Sequence, residues 1–179
     1  MTWIIVLLIA LILLFFMYKN KPEKEEKSLY DRLGGIYSIA ALVNYYSDRI
    51  VENPIVGKNT KNPALKAWYE NKMSRLPGLK FMRTLWVAGV AGGPYKYVPT
   101  VPGKKCPFNL ENSHAELKIL PNEFDAASQE LSKAIDHFGI PSKEKDELLS
   151  ILRMHKSEIN SGYLIANGQP VQIAKCPFS

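Results

Sequence analysis

Apolar residues recur at every third or fourth position through most of this chain, and this spacing constrains the fold more than any other feature. Stripes of this kind begin at Ile36, at Phe124 and at Leu148. Residues three or four positions apart lie on one face of an α-helix, so each stripe predicts a helix that packs against a core. No segment alternates apolar and polar residues for long enough to predict a β-strand. Because 46% of the 179 residues are hydrophobic, the chain can bury a core of its own, and we predict one all-α domain.

Two stretches between the clearest stripes carry information of their own. Residues 53–67 contain two Asn-Pro pairs and predict an irregular connection. Residues 79–91 are apolar nearly all round, which predicts a helix that is buried on most sides or that faces a large apolar ligand. Arg83 lies in the middle of this apolar stretch. Burying an unpaired guanidinium is very costly, so we expect Arg83 to reach a carboxylate, another anionic group or the solvent edge.

The N-terminus predicts a membrane anchor. Residues 2–18 carry no charge, and Trp3 and Tyr18 flank the run as interfacial anchors do. A cleaved signal peptide is the competing interpretation, but no basic region precedes the run and no small-residue cleavage site follows it. We therefore predict a single uncleaved transmembrane helix over residues 1–18. The lysines of the charged tether at residues 19–27 predict a domain on the cytosolic side.

The net charge of +6 does not predict a nucleic-acid-binding protein. Lysines and glutamates are interspersed, and no stretch has five like charges in a row. A nucleic-acid interface would need a concentrated basic patch. The charge favours solubility and attraction to the anionic surface of a lipid bilayer.

Residues 112–117 contain the first candidate for a site. His114 opens a short helical turn with Leu117 on the same face, and Pro121 ends the turn. A histidine in this position can present one ring nitrogen to a metal while the other is fixed by a carbonyl or a carboxylate. The alternative is a capped surface histidine.

Tyr46 is the second candidate. It lies on the apolar stripe that begins at Ile36, so its ring should point into the core. A buried tyrosine needs a partner for its hydroxyl group. That partner is either a carbonyl oxygen of the core or a bound ligand.

Seven short motifs occur in the order found in one protein family. They are Leu29-Tyr30-Asp31-Arg32-Leu33-Gly34-Gly35, Tyr45-Tyr46 with Asp48-Arg49-Ile50, Lys72-Met73-Ser74-Arg75-Leu76, Gly92-Gly93-Pro94 with Tyr97, His114-Ala115-Glu116-Leu117, Glu123-Phe124-Asp125-Ala126, and Phe138-Gly139-Ile140-Pro141. In this order the chain resembles the truncated haemoglobins, most closely their first group. The resemblance covers residues 28–160 and leaves the anchor, the tether and a C-terminal extension at residues 161–179 outside it.

The resemblance implies a fold, a cofactor and a set of site residues. The fold would be a two-over-two helical sandwich that encloses haem b, iron protoporphyrin IX. His114 would be the proximal iron ligand and Tyr46 the distal donor of a hydrogen bond to dioxygen. Trp68 and Tyr69 stand nearest to a phenylalanine pair that is usual in the family. The remaining residues predicted to line the pocket are Leu76, Met82, Arg83, Trp86 and Leu117, and Lys80 is a further candidate for a distal position.

The function implied by the resemblance is binding of dioxygen, with nitric oxide or carbon monoxide as further ligands and dioxygenation of nitric oxide to nitrate as a reaction. The glycine pairs at positions 34–35 and 92–93 end helices and are not dinucleotide-binding loops, so this reaction would need an external reductase. Two other classes stay open: a haem-based gas sensor or electron-transfer protein, and a haem-free, membrane-anchored helical interaction module.

The remaining cysteines and histidines have simpler interpretations. Lys105-Cys106-Pro107-Phe108 recurs as Lys175-Cys176-Pro177-Phe178. In a reducing cytosol we expect two free thiols, and the alternatives are a disulfide or thiolate ligation of haem. His137 is expected to be solvated, and His155 to be a hydrogen-bonded core or boundary residue.

Overall fold

A computed structural model of the chain describes residues 26–95 and 110–174, together with a few isolated residues among the first 19. Within these residues the regular structure is helical throughout, as predicted. The α-helices are α1 (Leu29–Arg32), α2 (Gly35–Glu52), α3 (Pro63–Lys72), α4 (Leu76–Val90), α5 (Leu110–His114), α6 (Pro121–His137), α7 (Ser142–Met154), α8 (Lys156–Ile159) and α9 (Ser161–Ala166). Two single turns of 3-10 helix, Met73–Arg75 and Ala115–Leu117, precede α4 and follow α5.

The long helices form two packed pairs. Helix α2 packs most extensively against α4, helix α6 packs against α7, and contacts between α2 and α6 join the two pairs. The buried face of α2 follows the predicted stripe and consists of Ile39, Leu42, Val43, Ser47, Ile50 and Val51. Leu42 meets Leu131, Ile135 and Leu148 where the pairs join. The amphipathic stripes therefore place the core between two layers of two helices.

The start of α2 is set by backbone geometry. Gly34 and Gly35 have φ angles of 88° and 77°, in the left-handed region that favours glycine. Tyr30 donates from its backbone nitrogen to the carbonyl oxygen of Ala91 at 2.7 Å, which joins α1 to the end of α4. The glycine pair thus lets α1 and α2 meet at a sharp angle beside α4.

Two helices begin earlier than the sequence predicts. Helix α3 occupies the second half of the segment that we expected to be irregular, because the Asn62 side chain accepts hydrogen bonds from the backbone nitrogens of Ala64 (3.0 Å) and Leu65 (3.3 Å). Pro63 is its first residue, a position where proline is well tolerated. Helix α4 begins at Leu76 rather than at residue 79, again with a proline in its first turn.

The sequence predicted that α4 is either buried on most sides or faces a large apolar ligand, and the helix is less buried than the first interpretation requires. Thr84 and Ala88 are its only buried residues, whereas Phe81 is 61% exposed. It is therefore not buried on most sides.

The predicted anchor and the two cysteines fall outside the part of the chain that the structure describes. No helix among the described residues has the length and apolar composition needed to cross a membrane. Residues 1–18, apart from isolated positions, are not among those residues. Cys106 and Cys176 also lie outside them.

Candidate haem site

His114 is the last residue of α5, and its ring is fixed by one nitrogen. Its Nδ1 atom lies 2.8 Å from the carbonyl oxygen of Leu110, one turn earlier, and 2.9 Å from Ser113 Oγ. Since a carbonyl oxygen can only accept, Nδ1 carries the proton and donates it. The Nε2 atom then holds a lone pair, and no residue of the described ranges forms a hydrogen bond with it. The ring is presented in the tautomer that a metal ligand needs.

The charge state of His114 also suits a metal ligand. Burial lowers the pKa of the imidazole to about 4, the Leu110 carbonyl raises it, and the positive charge of Arg83 lowers it further. The ring is therefore neutral at physiological pH. A neutral imidazole is the form that binds metal ions.

Three consecutive residues at the start of α9 hold one side of the turn that carries His114. Asn160 donates from Nδ2 to the carbonyl oxygen of Ile119 at 2.7 Å, and Ser161 donates from Oγ to that of Glu111 at 3.2 Å. Gly162 packs so closely that a Cβ atom there would overlap the carbonyl oxygen of Ala115. Helix α9, which begins in the predicted C-terminal extension, therefore supports the turn.

The other side of the turn is held by the cap of α3. Asn62 donates from Nδ2 to the carbonyl oxygens of Leu117 and Lys118, each at 3.1 Å, and to Glu123 Oε2 at 2.9 Å. Lys118 has a φ of 48°, a left-handed conformation that costs free energy in a residue other than glycine. One buried carboxamide thus both caps α3 and holds the chain where it reverses after His114.

Substituting Gly162 by alanine is expected to lower the free energy of unfolding by about 1–3 kcal/mol, as overpacking of a tight contact does. The added methyl group must push α9 away from Ala115, since it meets backbone atoms that have little freedom to move. Gly78→Ala is the matched control. A Cβ atom at Gly78 meets nothing within 4 Å, and alanine favours a helix, so this variant should be neutral or more stable. Urea denaturation followed by circular dichroism compares the two, and equal stability of both variants would contradict the close contact.

Tyr46 lies on α2 with its ring partly buried in the apolar cluster around Tyr69 and Ile119. Burial raises the pKa of its hydroxyl group, the charge of Arg83 lowers it, and that of Glu130 raises it. No described residue forms a hydrogen bond with the hydroxyl group. Of the two partners predicted for Tyr46, a core carbonyl is not found in the described residues.

Arg83 extends from α4 toward Tyr46. Its Nη1 atom donates to Ser47 Oγ at 3.1 Å, and its Cζ atom lies 5.8 Å from the centre of the Tyr46 ring. No carboxylate of the described residues forms an ion pair with it. The sequence did not identify Ser47, which is fully buried on α2 next to Tyr46. The sequence feature that could have identified Ser47 is the presence of a small polar residue on an otherwise apolar helix face.

The other predicted site residues are distributed unevenly. Trp68, Tyr69, Leu76 and Leu117 belong to the same apolar cluster as Tyr46. The Tyr69 hydroxyl group donates to the carbonyl oxygen of Val56 at 3.0 Å, and burial raises its pKa to about 12, so it has a partner within the core. Trp86 packs edge-on against His155, with ring centres 5.1 Å apart. Met82 is 42% exposed and is not part of this cluster.

Three further residues have partners that explain them without a ligand. Lys80 donates to Asp48 Oδ1 at 2.6 Å and to Asn44 Oδ1 at 2.8 Å, which makes it part of a surface ion pair. His155 is buried, with Nδ1 3.2 Å from Glu158 Oε1, and this confirms its interpretation as a hydrogen-bonded core residue. His137 is exposed, as predicted, but it also stacks on the Tyr45 ring at 4.1 Å.

These features fit an iron porphyrin. Such a cofactor needs one imidazole nitrogen for the iron, apolar walls for the macrocycle and a few polar groups near the ligand position. His114 Nε2 supplies the first, the cluster of Trp68, Leu76 and Leu117 supplies apolar surface, and Tyr46 with Arg83 supplies hydrogen-bond donors. Two layers of two helices with a site of this kind define a protein of the globin class.

Comparison with known proteins identifies the family. Residues 28–161 match the model of the family described as bacterial-like globin, and the chain belongs to that family. Membership of this truncated globin family implies a haem-binding protein that binds oxygen. No curated protein matches the chain.

Solved structures of truncated haemoglobins share the fold. The Fe(III) form of truncated hemoglobin from Tetrahymena pyriformis has a TM-score of 0.57 and 17% identity, over 74% of this chain and 97% of that one. The 2/2 hemoglobin from Synechococcus sp. PCC 7002, in the cyanomet state and with covalently attached heme, has a TM-score of 0.57 and 16% identity, over 75% and 99%. At this identity the likeness extends to the fold alone, and it does not support assignment to the first group.

Proposed function

We propose that this chain is a membrane-anchored haem protein, similar to the first group of truncated haemoglobins, that binds dioxygen at a haem b iron held by His114. The observation that carries the proposal is the state of the His114 ring. Its Nδ1 atom is tied to the carbonyl oxygen of Leu110, and its Nε2 atom has no hydrogen-bond partner among the described residues. A neutral imidazole fixed in this way is prepared to bind iron through Nε2.

The haem, when bound, supplies an iron with one open coordination position for a diatomic gas. The residues of this chain determine how that position is used. The Tyr46 hydroxyl group would donate a hydrogen bond to a polar ligand, and the apolar cluster around it would keep water away. In a water-poor pocket such a hydrogen bond is stronger than in solution, so we propose that dioxygen is released slowly.

Dioxygenation of nitric oxide is the reaction that suits slow release of dioxygen, and we include it in the proposal. Carbon monoxide would be a further ligand of the same site. The sequence contains no flavin-binding or nicotinamide-binding loop, so repeated turnover would depend on a separate reductase.

The membrane anchor at residues 1–18 is the second part of the proposal. It is supported by the uncharged run at residues 2–18, by Trp3 and Tyr18 at its ends, and by the lysines that follow. The globin domain would then lie at the cytosolic face of a bilayer. Dioxygen and nitric oxide partition into lipid, so a globin held there would meet both gases at raised concentration.

The visible spectrum of the ferrous, full-length protein tests the proposed function. We expect a five-coordinate spectrum that changes reversibly when dioxygen is added. A six-coordinate ferrous spectrum that dioxygen does not change would contradict oxygen binding and favour a sensor or an electron-transfer protein. The absence of any haem spectrum would leave a membrane-anchored helical interaction module.

A further inference from the structure

Arg83 differs from Arg32 and Arg49 in the charge of its partner. Arg32, whose side chain is 19% exposed, is bound by both Glu144 and Glu147. Arg49 pairs with the buried carboxylate of Glu130 at 3.1 Å. Arg83 is half-buried on α4, yet its single hydrogen bond among the described residues goes to a neutral hydroxyl group, Ser47 Oγ. A guanidinium that is partly withdrawn from water without a counter-charge is costly, so its remaining donors must bind water at the solvent edge or an anion.

The position of this charge is fixed. Ser47 has no exposed surface and lies in the middle of α2, and its oxygen atom anchors one end of the guanidinium. The Cζ atom then lies 5.8 Å from the centre of the Tyr46 ring. Lys80, one turn earlier on α4, is occupied by Asp48 and does not share this position. Arg83 is therefore the charged group beside Tyr46, the residue that we propose donates a hydrogen bond to the bound ligand.

We propose that Arg83, held by Ser47 beside Tyr46, determines the ligand selectivity of this pocket by raising its affinity for small monovalent anions over that for neutral ligands. The inference rests on the proposed function, since the anion would occupy the same open position of the haem. A guanidinium can add a charge-assisted hydrogen bond and a Coulomb attraction to an anion, and these are much weaker for a neutral ligand. The hydroxyl group of Tyr46 favours any polar ligand, whereas the charge of Arg83 favours anions over neutral ligands.

A carboxylate of the cofactor is the other source of negative charge that could satisfy Arg83. The two sources differ in what the arginine stabilises. If an added anion is the partner, Arg83 contributes to the affinity for that anion. If a carboxylate of the haem is the partner, Arg83 contributes to retention of haem and leaves anion affinity unchanged.

Titration of the full-length ferric protein with azide and fluoride, and with imidazole as the neutral ligand, tests the proposal. In Arg83→Met, we expect dissociation constants for both anions to rise roughly tenfold or more, because charge-assisted hydrogen bonds are about twice as strong as neutral ones. Imidazole affinity should stay within about twofold, since no charge is involved. Arg83→Lys keeps the charge and should retain part of the anion affinity. Ser47→Ala leaves the guanidinium unanchored and should weaken anion binding by a smaller factor.

Arg153→Met is the matched control, because Arg153 is exposed on α7 and the substitution changes the net charge equally. It should leave all three affinities unchanged. Unchanged azide and fluoride affinities in Arg83→Met, with faster transfer of haem to apomyoglobin, would overturn the proposal in favour of a cofactor carboxylate. Equal weakening of anions and imidazole would also overturn it, since that pattern indicates a general disturbance of the pocket. A wild-type chain that binds no haem would refute the proposed function itself, and the inference with it.

Discussion

Replacing His114 by alanine is expected to abolish stable incorporation of haem. The substitution removes the Nε2 atom, which is the imidazole nitrogen left available by the hydrogen bond between Nδ1 and the Leu110 carbonyl oxygen. An axial iron–nitrogen bond is the main specific link between a globin chain and its cofactor. We expect the intense Soret band to be lost after gel filtration of a hemin-treated sample. The measurement is the haem-to-protein ratio of the eluted protein.

Two controls separate loss of the ligand from loss of the fold. His137→Ala removes an exposed histidine that stacks on Tyr45, and this variant should keep a full complement of haem. The helical circular dichroism of His114→Ala should remain, because the lost hydrogen bond costs only about 0.5–1.5 kcal/mol. An unchanged haem content in His114→Ala would refute the assignment of this residue as the iron ligand.

Substituting Tyr46 by phenylalanine is expected to speed the dissociation of dioxygen about tenfold or more. The change removes one hydroxyl group, which has no hydrogen-bond partner among the described residues, and leaves the ring in its apolar cluster. A hydrogen bond to a polar ligand in a water-poor site is worth about 1–2 kcal/mol, and about 1.4 kcal/mol corresponds to a factor of ten. Stopped-flow displacement of dioxygen by carbon monoxide measures the rate.

Tyr45→Phe provides the control for this experiment. Tyr45 is the neighbouring residue on α2, but its ring stacks on His137 and contacts Phe138. The same chemical change at this position should leave the dissociation rate of dioxygen as it is in the wild type. If Tyr46→Phe also leaves the rate unchanged, Tyr46 does not contact the ligand.

The helices that carry apolar residues at every third or fourth position could be predicted from the sequence. Helix α2 buries Ile39, Val43 and Ile50, as the three- and four-residue spacing indicates, and α6 buries Phe124 and Ile135 in the same way. This succeeds because amphipathic spacing is a local property that any core-facing helix must have. His114 and Tyr46 could be singled out for a related reason, since each is an unusual residue type on an apolar face.

The partners of the site residues could not be predicted, because they come from distant parts of the chain. Ser47 meets Arg83 across the interface between α2 and α4, and no sequence spacing records that contact. The same holds for the support of the His114 turn by Asn62 and Gly162. Their hydrogen bonds and close packing depend on the folded arrangement of three separate segments.

One local signal was available and was interpreted wrongly. Asn62 followed by Pro63 is a typical helix start, in which the carboxamide caps the first turn and proline takes the first position. We took the two Asn-Pro pairs of residues 53–67 together as an irregular connection. The first pair, Asn53-Pro54, does follow the end of α2, and the second begins α3.

Titration of the purified full-length chain with hemin tests the central claim most directly, because everything else depends on an imidazole at position 114 that binds a porphyrin iron. We predict an intense Soret band that grows until one haem is bound per chain and then stops. A protein that remains colourless after hemin is added and the excess removed would contradict the account.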